Sequence, residues 1–204
     1  MSHTVSGLRR LSDTRFELSL ENGETLRITL NQIADFSLRT GAELTEEELE
    51  ALKSAAALSH TKDRALRIIG ARPFGERELY DRLVEKGESE RDAAAAVAWL
   101  VELRLLDDGE YAAMLVRHYA AKGYGARRIR DELNRRKIPR ELWDAALEEL
   151  PEEDDTIDKL LRSRLRGAEA DDRAALKKAA DALLRRGFGW DEIKAAVERY
   201  RSGE

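Results

Sequence analysis

The chain has 204 residues, of which 38% are charged and 6% aromatic, and its formal net charge is −5. This composition is typical of a mainly helical protein with small cores, and the absence of cysteine excludes a disulfide framework and a thiolate metal site. The longest apolar run, residues 93–101, is too short to span a bilayer, and residues 1–13 lack the apolar core of a signal peptide. We therefore expect a cytoplasmic protein with no membrane segment.

The first 61 residues differ from the rest, because apolar and polar residues alternate in two short runs. Asn22-Gly23 separates these runs and predicts a hairpin with a type I′ turn. A third strand is predicted over Val5–Leu11. The alternating apolar residues are Phe16, Leu18 and Leu20 in the first run and Leu26, Ile28 and Leu30 in the second.

Two helices are predicted to follow the strands and to cover the hairpin, which would be marginally stable alone. The first spans about Gln32–Arg39 and ends at Gly41. The second spans about Thr45–His60, where Thr45 and Glu48 have the spacing of a capping box.

From Lys62 onward the helical periodicity predicts nine helices in three groups, in domains 62–108, 109–151 and 152–204. Glycines and prolines mark their ends. Asp107 and Asp108 are expected to cap the helix that follows them. The predicted helices with assigned ends are Arg64–Ala71, Glu76–Glu85, Ser89–Leu103 and Ala126–Arg136, and the third group covers about Thr156–Arg201.

Three segments that begin at Glu76, Ala126 and Leu176 align without a gap at a spacing of 50 residues. Self-similarity at a fixed period predicts tandem repeats, each of which leaves an apolar face for its neighbour to cover. The predicted fold is therefore mainly α: an elongated, right- or left-curved array of three three-helix repeats with a small N-terminal β-hairpin and helix domain. The identical columns are Asp81/Asp131/Asp181, Leu83/Leu133/Leu183, Ala95/Ala145/Ala195 and Ala96/Ala146/Ala196, all interpreted as packing positions.

The last repeat differs from the others at its start. Residues 151–155 form an acidic run after a proline, which we interpret as a solvated linker rather than a cation site. An extended segment, Gly167–Arg173, precedes the second helix of this repeat, so its first helix is expected to be longer or bent.

No convergent set of catalytic or metal-ligating residues is visible. The three histidines, His3, His60 and His118, are scattered, and Gly123-Tyr124-Gly125 lacks the spacing and the following Lys-Ser/Thr of a phosphate-binding loop. We predict a protein that is not an enzyme and that has no cofactor and no metal.

The middle repeat is the only basic part of the chain, since residues 111–150 carry nine basic and six acidic residues. If Ile129 and Leu133 face the core, helical geometry at about 100° per residue directs the arginines around them outward. Such a face is either simply solvated or a binding surface for carboxylates and phosphates. The candidate partner- or DNA-binding residues are Arg117, Lys122, Tyr124, Arg127, Arg128, Arg130, Arg135, Arg136 and Lys137.

The aromatic residues could stack on nucleic acid bases, but most occupy apolar helical positions, and packing is the favoured interpretation. Tyr124 and Phe188 are the candidates for partial exposure, because glycines flank them. Trp99, Trp143 and Trp190 are expected to pack in or between repeats.

Several spaced motifs resemble the RecX family, whose members regulate the RecA recombinase, and the resemblance covers about residues 62–200. The motifs are Leu105–Ala112 (LLDDGEYA), Lys122–Gly125 (KGYG) with the following Ile129 and Asp131-Glu132-Leu133, and Arg185–Phe188 (RRGF) with Ile193.

The resemblance implies an array of three-helix repeats that binds RecA–DNA filaments and mainly inhibits ATP hydrolysis, strand exchange and the SOS response. We expect the protein to be a monomer. Single- or double-stranded DNA is a further implied partner, although the acidic net charge favours protein recognition as the main energy source. Two alternatives stay open: a sequence-independent DNA-binding repeat protein that acts without RecA, and a helical scaffold for another partner.

Overall fold

The computed structural model describes residues 2–150, 153–167, 169 and 172–202. The chain forms two compact units. The first runs from the N-terminus to Pro73 and includes Leu79–Leu105, and the second comprises Phe74–Glu78 and the chain from Leu106 onward.

The first unit begins with an antiparallel sheet in the order β3-β2-β1-β4. The predicted hairpin and third strand are confirmed, and the short β4 was not predicted. Val5, Leu18 and Ile28 face a core that the helices complete. The strands are β1 (Ser2–Arg10), β2 (Arg15–Leu20), β3 (Thr25–Thr29) and β4 (Glu43–Thr45).

The hairpin turn differs from the predicted type I′ turn, because Gly23 has a positive φ, of 85°, and Asn22 does not. The N–H of Gly23 donates to Leu20 O at 3.0 Å, and the N–H of Leu20 donates to Glu24 O at 2.9 Å. This is the pattern of a three-residue connection in which a type I turn ends in a glycine bulge. The Asn22 side chain accepts from the Glu24 N–H at 2.9 Å, which stabilises this alternative.

Two helices follow: α1 (Leu30–Asp35), shorter than predicted, and α2 (Glu46–Ile69). The predicted capping box of Thr45 and Glu48 is present at the start of α2. The helices expected at Thr45–His60 and Arg64–Ala71 are one helix, so the boundary expected after residue 61 lies inside it. Thr61 lies inside this helix, and its buried hydroxyl bonds to Ala57 O at 3.1 Å and to the Glu88 carboxylate at 2.6 Å.

The remaining described helices form the three predicted groups, and the mainly helical repeat fold is confirmed. A 3₁₀ turn, Arg140–Leu142, leads into the third helix of the middle repeat. The helices are α3 (Glu76–Glu85), α4 (Glu90–Glu102), α5 (Asp108–Ala121), α6 (Ala126–Arg135), α7 (Trp143–Leu147), α8 (Glu153–Arg164), α9 (Arg173–Arg185) and α10 (Trp190–Ser202).

Two sequence predictions concern residues that are partly outside the described ranges. Pro151 and Glu152 of the predicted linker lie outside them, whereas Asp155 belongs to α8. Ala168, Ala170 and Asp171 of the extended segment also lie outside them. The first helix of the last repeat ends at Arg164, before this segment.

The identical columns of the repeat divide into core and surface. Leu83, Leu133 and Leu183 are fully buried. In the second alanine column, Ala96, Ala146 and Ala196 are at most 5% exposed. Asp131 and Asp181, by contrast, are exposed, so the interpretation of the aspartate column as packing is wrong. The column of Ala95, Ala145 and Ala195 is not buried either, and Ala145 is exposed, so periodic identity alone does not indicate burial.

A left-handed residue follows the second helix of every repeat. Gly87, Lys137 and Gly187 have φ values of 88°, 59° and 91° and keep the 50-residue spacing. This conformation ends a helix by turning the chain out of it, and it favours glycine because a Cβ is crowded there. Lys137 adopts the left-handed conformation although it has a Cβ.

Asp107 and Asp108 perform different tasks, although both were expected to cap α5. Asp107 does cap α5, accepting from the Glu110 N–H at 3.0 Å. Asp108 is buried and accepts from the Glu76 N–H, at the start of α3, at 2.8 Å. Burial raises the pKa of Asp108, the bond from the Glu76 N–H opposes that shift, and the nearby charge of Asp107 adds to it.

Replacing Asp108 tests this cap. Asp108→Ala removes the acceptor and is expected to lower the free energy of unfolding by about 1–2 kcal/mol. Asp108→Asn keeps an oxygen acceptor without the charge and should cost less. Because the folded-state pKa is raised, the stability contributed by Asp108 is full in acid and is lost as pH rises through that pKa. Denaturant unfolding should therefore show that the difference in free energy of unfolding between the wild type and Asp108→Asn becomes smaller from pH 4 to pH 7. An equal loss of stability in Asp108→Ala and Asp108→Asn would contradict the assignment.

Candidate partner-binding surface

Four of the predicted site residues lie on one short helix of the second unit, α6. We call Arg127, Arg128, Arg130 and Arg135 the α6 arginine surface. All four are exposed, and Ile129 and Leu133 are fully buried, as the sequence predicts. Within the described part of the chain, the side chains of Arg127 and Arg130 have no hydrogen-bond or ion-pair partner, so their guanidinium groups are available to a ligand.

Arg128 and Arg135 are different, because both lie beside a buried acid, Glu132, that sequence reasoning missed. Glu132 accepts from Arg135 Nε at 2.8 Å and also pairs with Arg135 Nη2, and Arg128 Nη2 lies 3.7 Å from it. Burial opposes ionisation of Glu132, but the hydrogen bond and charge of Arg135 outweigh burial, so its pKa is lowered. Glu132 offsets one of the two positive charges of Arg128 and Arg135, whereas Arg127 and Arg130 have no such partner among the described residues.

The other predicted cations do not extend this surface as a group. Arg136 is turned inward, and its Nη1 donates to Glu78 at 3.0 Å. Lys137 is exposed in the left-handed turn after α6. Arg117 lies on α5, ion-paired with Glu149, and Lys122 lies at the end of α5 above the Tyr119 ring.

Tyr124 is half-buried at a joint between the middle and last repeats, rather than free for a partner. Its ring lies 5.9 Å from Tyr119 and 5.7 Å from the guanidinium of Arg186. Arg186 also donates to Lys122 O and Gly123 O, at 3.0 Å each. Tyr124 therefore takes part in the packing that holds the end of α5 against the last repeat, in addition to its predicted role in partner binding.

Backbone contacts complete this joint and fix the start of α6. The Gly125 N–H donates to Arg186 O at 2.9 Å, and the Arg127 N–H donates to Gly187 O at 3.1 Å. The first N–H groups of a helix lack partners within it, so the loop after α9 serves as their cap. Neither glycine has room for a side chain: a Cβ on Gly187 would lie 2.6 Å from Arg128 Cβ, and one on Gly125 would lie 2.7 Å from Phe188 N.

Two expectations about aromatic exposure are wrong. Phe188 is buried at 1% exposure in the core of the last repeat, because its backbone approaches Gly125 and its ring turns inward. Trp190, expected to pack, is 59% exposed at the start of α10. Only Gly189 separates it from Phe188, so its Cα lies within about 7 Å of the Phe188 Cα, at the joint that fixes α6.

The described residues contain no group of three or more His, Cys, Asp or Glu side chains placed to hold a metal ion. No helix in these ranges is long and apolar enough to cross a membrane.

The repeats and the exposed arginines define a helical repeat protein whose candidate site is a surface. Three family models match successive parts of the chain: the first three-helix domain of RecX at residues 62–100, the second at 107–147 and the third at 152–197. The chain belongs to the RecX family.

Curated relatives agree with this assignment. The regulatory protein RecX of Vibrio parahaemolyticus is 33% identical over 71% of this chain and 94% of its own length. That of Halorhodospira halophila is 34% identical over 71% of this chain and 91% of its own length.

Solved structures confirm the fold. A crystal structure of regulatory protein RecX superimposes with a TM-score of 0.79 at 21% identity, covering 96% of this chain and 99% of that one. RecX from Lactobacillus salivarius gives a TM-score of 0.66 at 21% identity, covering 71% of this chain and 96% of its own.

Proposed function

We propose that the protein is a regulator, mainly an inhibitor, of the RecA recombinase that binds RecA–DNA filaments. In this proposal it lowers ATP hydrolysis and strand exchange, restrains the SOS response, and acts in the cytoplasm as a monomer. The family relatives, which are named regulatory proteins, support this role. The observation that carries it is the pair of exposed arginines, Arg127 and Arg130, which have no partner among the described residues and lie in the only basic repeat of an acidic chain.

The chemistry of that pair suits a nucleoprotein filament. A guanidinium group binds carboxylates and phosphates through parallel hydrogen bonds, and a filament of protein on DNA presents both. Exposed Trp190 adds a large aromatic of the kind that anchors protein interfaces. Successive repeats could then each add a modest contact along the filament, so that affinity rises without one deep pocket.

We propose that the N-terminal residues 1–61 act mainly as a cap for the first repeat, since terminal repeats need their outer face covered. The middle and last domains, 109–151 and 152–204, would carry the partner contacts.

RecA bound to single-stranded DNA provides the test. Adding the whole chain should slow ATP turnover in proportion to its concentration and shorten the filaments seen by electron microscopy. Unchanged turnover and filament length at excess protein would reject the proposal.

Direct DNA binding without RecA is the second candidate, favoured by the same arginines together with exposed Trp190. It predicts binding of bare oligonucleotides with an affinity that falls steeply with salt, because arginine contacts release phosphate counterions. Flat salt dependence, or binding only when RecA is present, would exclude this candidate.

A further inference from the structure

An open groove of about 540 Å³ lies in the second unit, between the C-terminal half of α5 and the first half of α8. Ala120, Ala121 and Leu160 form the apolar part of its lining. The groove is polar at its border, where the charged lining residues are Arg117, Lys122, Glu149 and Lys159.

The described residues that line the groove carry an excess of positive charge. They comprise three cations and one carboxylate, and that carboxylate, Glu149, is ion-paired with Arg117. Lys122 and Lys159 are exposed. Of the nearby described acids of α8, Asp158 pairs with Arg199 of α10 at 2.9 Å, whereas Asp155 is exposed at the start of the helix.

We propose that this groove binds an extended acidic peptide segment of a partner protein. An apolar side chain of the peptide lies against Ala120, Ala121 and Leu160, while flanking carboxylates pair with Lys122 and Lys159. A nucleic acid strand supplies anions but no aliphatic side chain for the apolar lining, whereas an acidic peptide supplies both. The inference deepens the proposed function and rests on it for the identity of the partner.

Glu149 occupies the position that a peptide carboxylate would take on Arg117. An incoming acidic peptide must therefore compete with a carboxylate of the same chain. Since the pair is exposed, breaking it costs little, and the competition sets the affinity rather than preventing binding. Two substitutions should therefore have opposite effects on peptide affinity. Lys159→Glu should weaken peptide binding, and Glu149→Gln should strengthen it by freeing Arg117.

Fluorescence anisotropy with labelled peptides of about twelve residues tests the groove. One peptide alternates Leu with Asp and Glu, a second has Ser in place of Leu, and a third has Lys in place of the acids. The first should bind the whole chain best. Lys159→Glu should raise its Kd at least about tenfold. The matched control Lys194→Glu changes the same charge at an exposed position of α10 and should change the Kd by less than about twofold.

Equal effects of Lys159→Glu and Lys194→Glu would overturn the inference, as would equal binding of the Leu and Ser peptides. Tighter binding by Glu149→Gln supports it, and weaker binding overturns it. A single-stranded oligonucleotide that binds the groove better than the acidic peptide would also overturn it.

The RecA assay separates this inference from the proposed function. If Lys159→Glu abolishes peptide binding and weakens RecA inhibition, both are supported. Full RecA inhibition by Lys159→Glu would overturn the groove as the partner site and leave the proposed function intact. If the wild type leaves RecA turnover unchanged but binds the peptide in a Lys159-dependent way, the proposed function fails and the groove stands.

Discussion

Gly187→Ala is expected to disrupt the joint between the middle and last repeats. Its φ of 91° already disfavours a side chain, and the added Cβ would meet Arg128 Cβ at 2.6 Å and Arg128 Cα at 2.9 Å. These neighbours belong to the backbone and first turn of α6, so they cannot move without displacing the helix. The Gly187 carbonyl that caps the Arg127 N–H would move with it.

Gly87→Ala is the matched control, because Gly87 has nearly the same φ, 88°, at the equivalent position of the first repeat, and nothing lies within 4 Å of its added Cβ. It carries only the cost of a left-handed alanine, about 1 kcal/mol. Gly187→Ala adds the overpacking cost, about 1–3 kcal/mol more.

Denaturant unfolding followed by circular dichroism measures both variants. The transition of the second unit should move to lower denaturant with Gly187→Ala, and protease should cleave near the joint more rapidly. Equal losses in the two variants would show that backbone conformation, rather than the close approach to α6, determines the cost.

The double substitution Arg127→Glu with Arg130→Glu is expected to weaken filament binding by at least about tenfold, or about 1.4 kcal/mol. Both side chains are exposed and unpaired within the described ranges, so the change replaces attraction to carboxylates or phosphates with repulsion. Co-sedimentation with RecA on single-stranded DNA measures the effect.

The double variant is expected to fold normally, so weaker binding would not reflect a loss of stability. Arg127 lies in the first turn of α6, where a carboxylate interacts favourably with the helix dipole, so the thermal midpoint should be unchanged or slightly higher. Lys177→Glu with Lys178→Glu makes the same charge change on α9, the equivalent helix of the last repeat, at two exposed positions. Equal weakening by both pairs would indicate a general charge effect and remove α6 from the interface.

Local signals in the sequence predicted most of the helices. The bounds of α3 match the prediction, and the capping box at Thr45 is where the spacing of Thr45 and Glu48 places it. The break expected in α2 was wrong, and Thr61 within that helix contacts Glu88, which is distant in sequence, so no local pattern indicates this contact. The predicted type of hairpin turn was also wrong, in this case because of a local contact, since the Asn22 side chain stabilises a different turn.

The sequence predicted which arginine side chains of α6 point outward, but not that a buried glutamate pairs with some of them. The apolar spacing of Ile129 and Leu133 is enough to place Arg127 and Arg130 outside. Burial of Glu132 beside them depends on α5, which supplies Tyr119 as a further hydrogen-bond partner, so no pattern within α6 indicates it. Exposure of Trp190 was missed because an aromatic at the start of an amphipathic helix usually packs inward.

Photo-crosslinking from α6 tests directly whether the α6 arginine surface contacts RecA. A benzoylphenylalanine in place of Arg130, irradiated with RecA filaments on single-stranded DNA, should yield a covalent adduct with RecA, and the same group in place of Lys178 should yield little. Adducts from position 130 with DNA alone, or equal RecA adducts from both positions, would contradict the proposed interface.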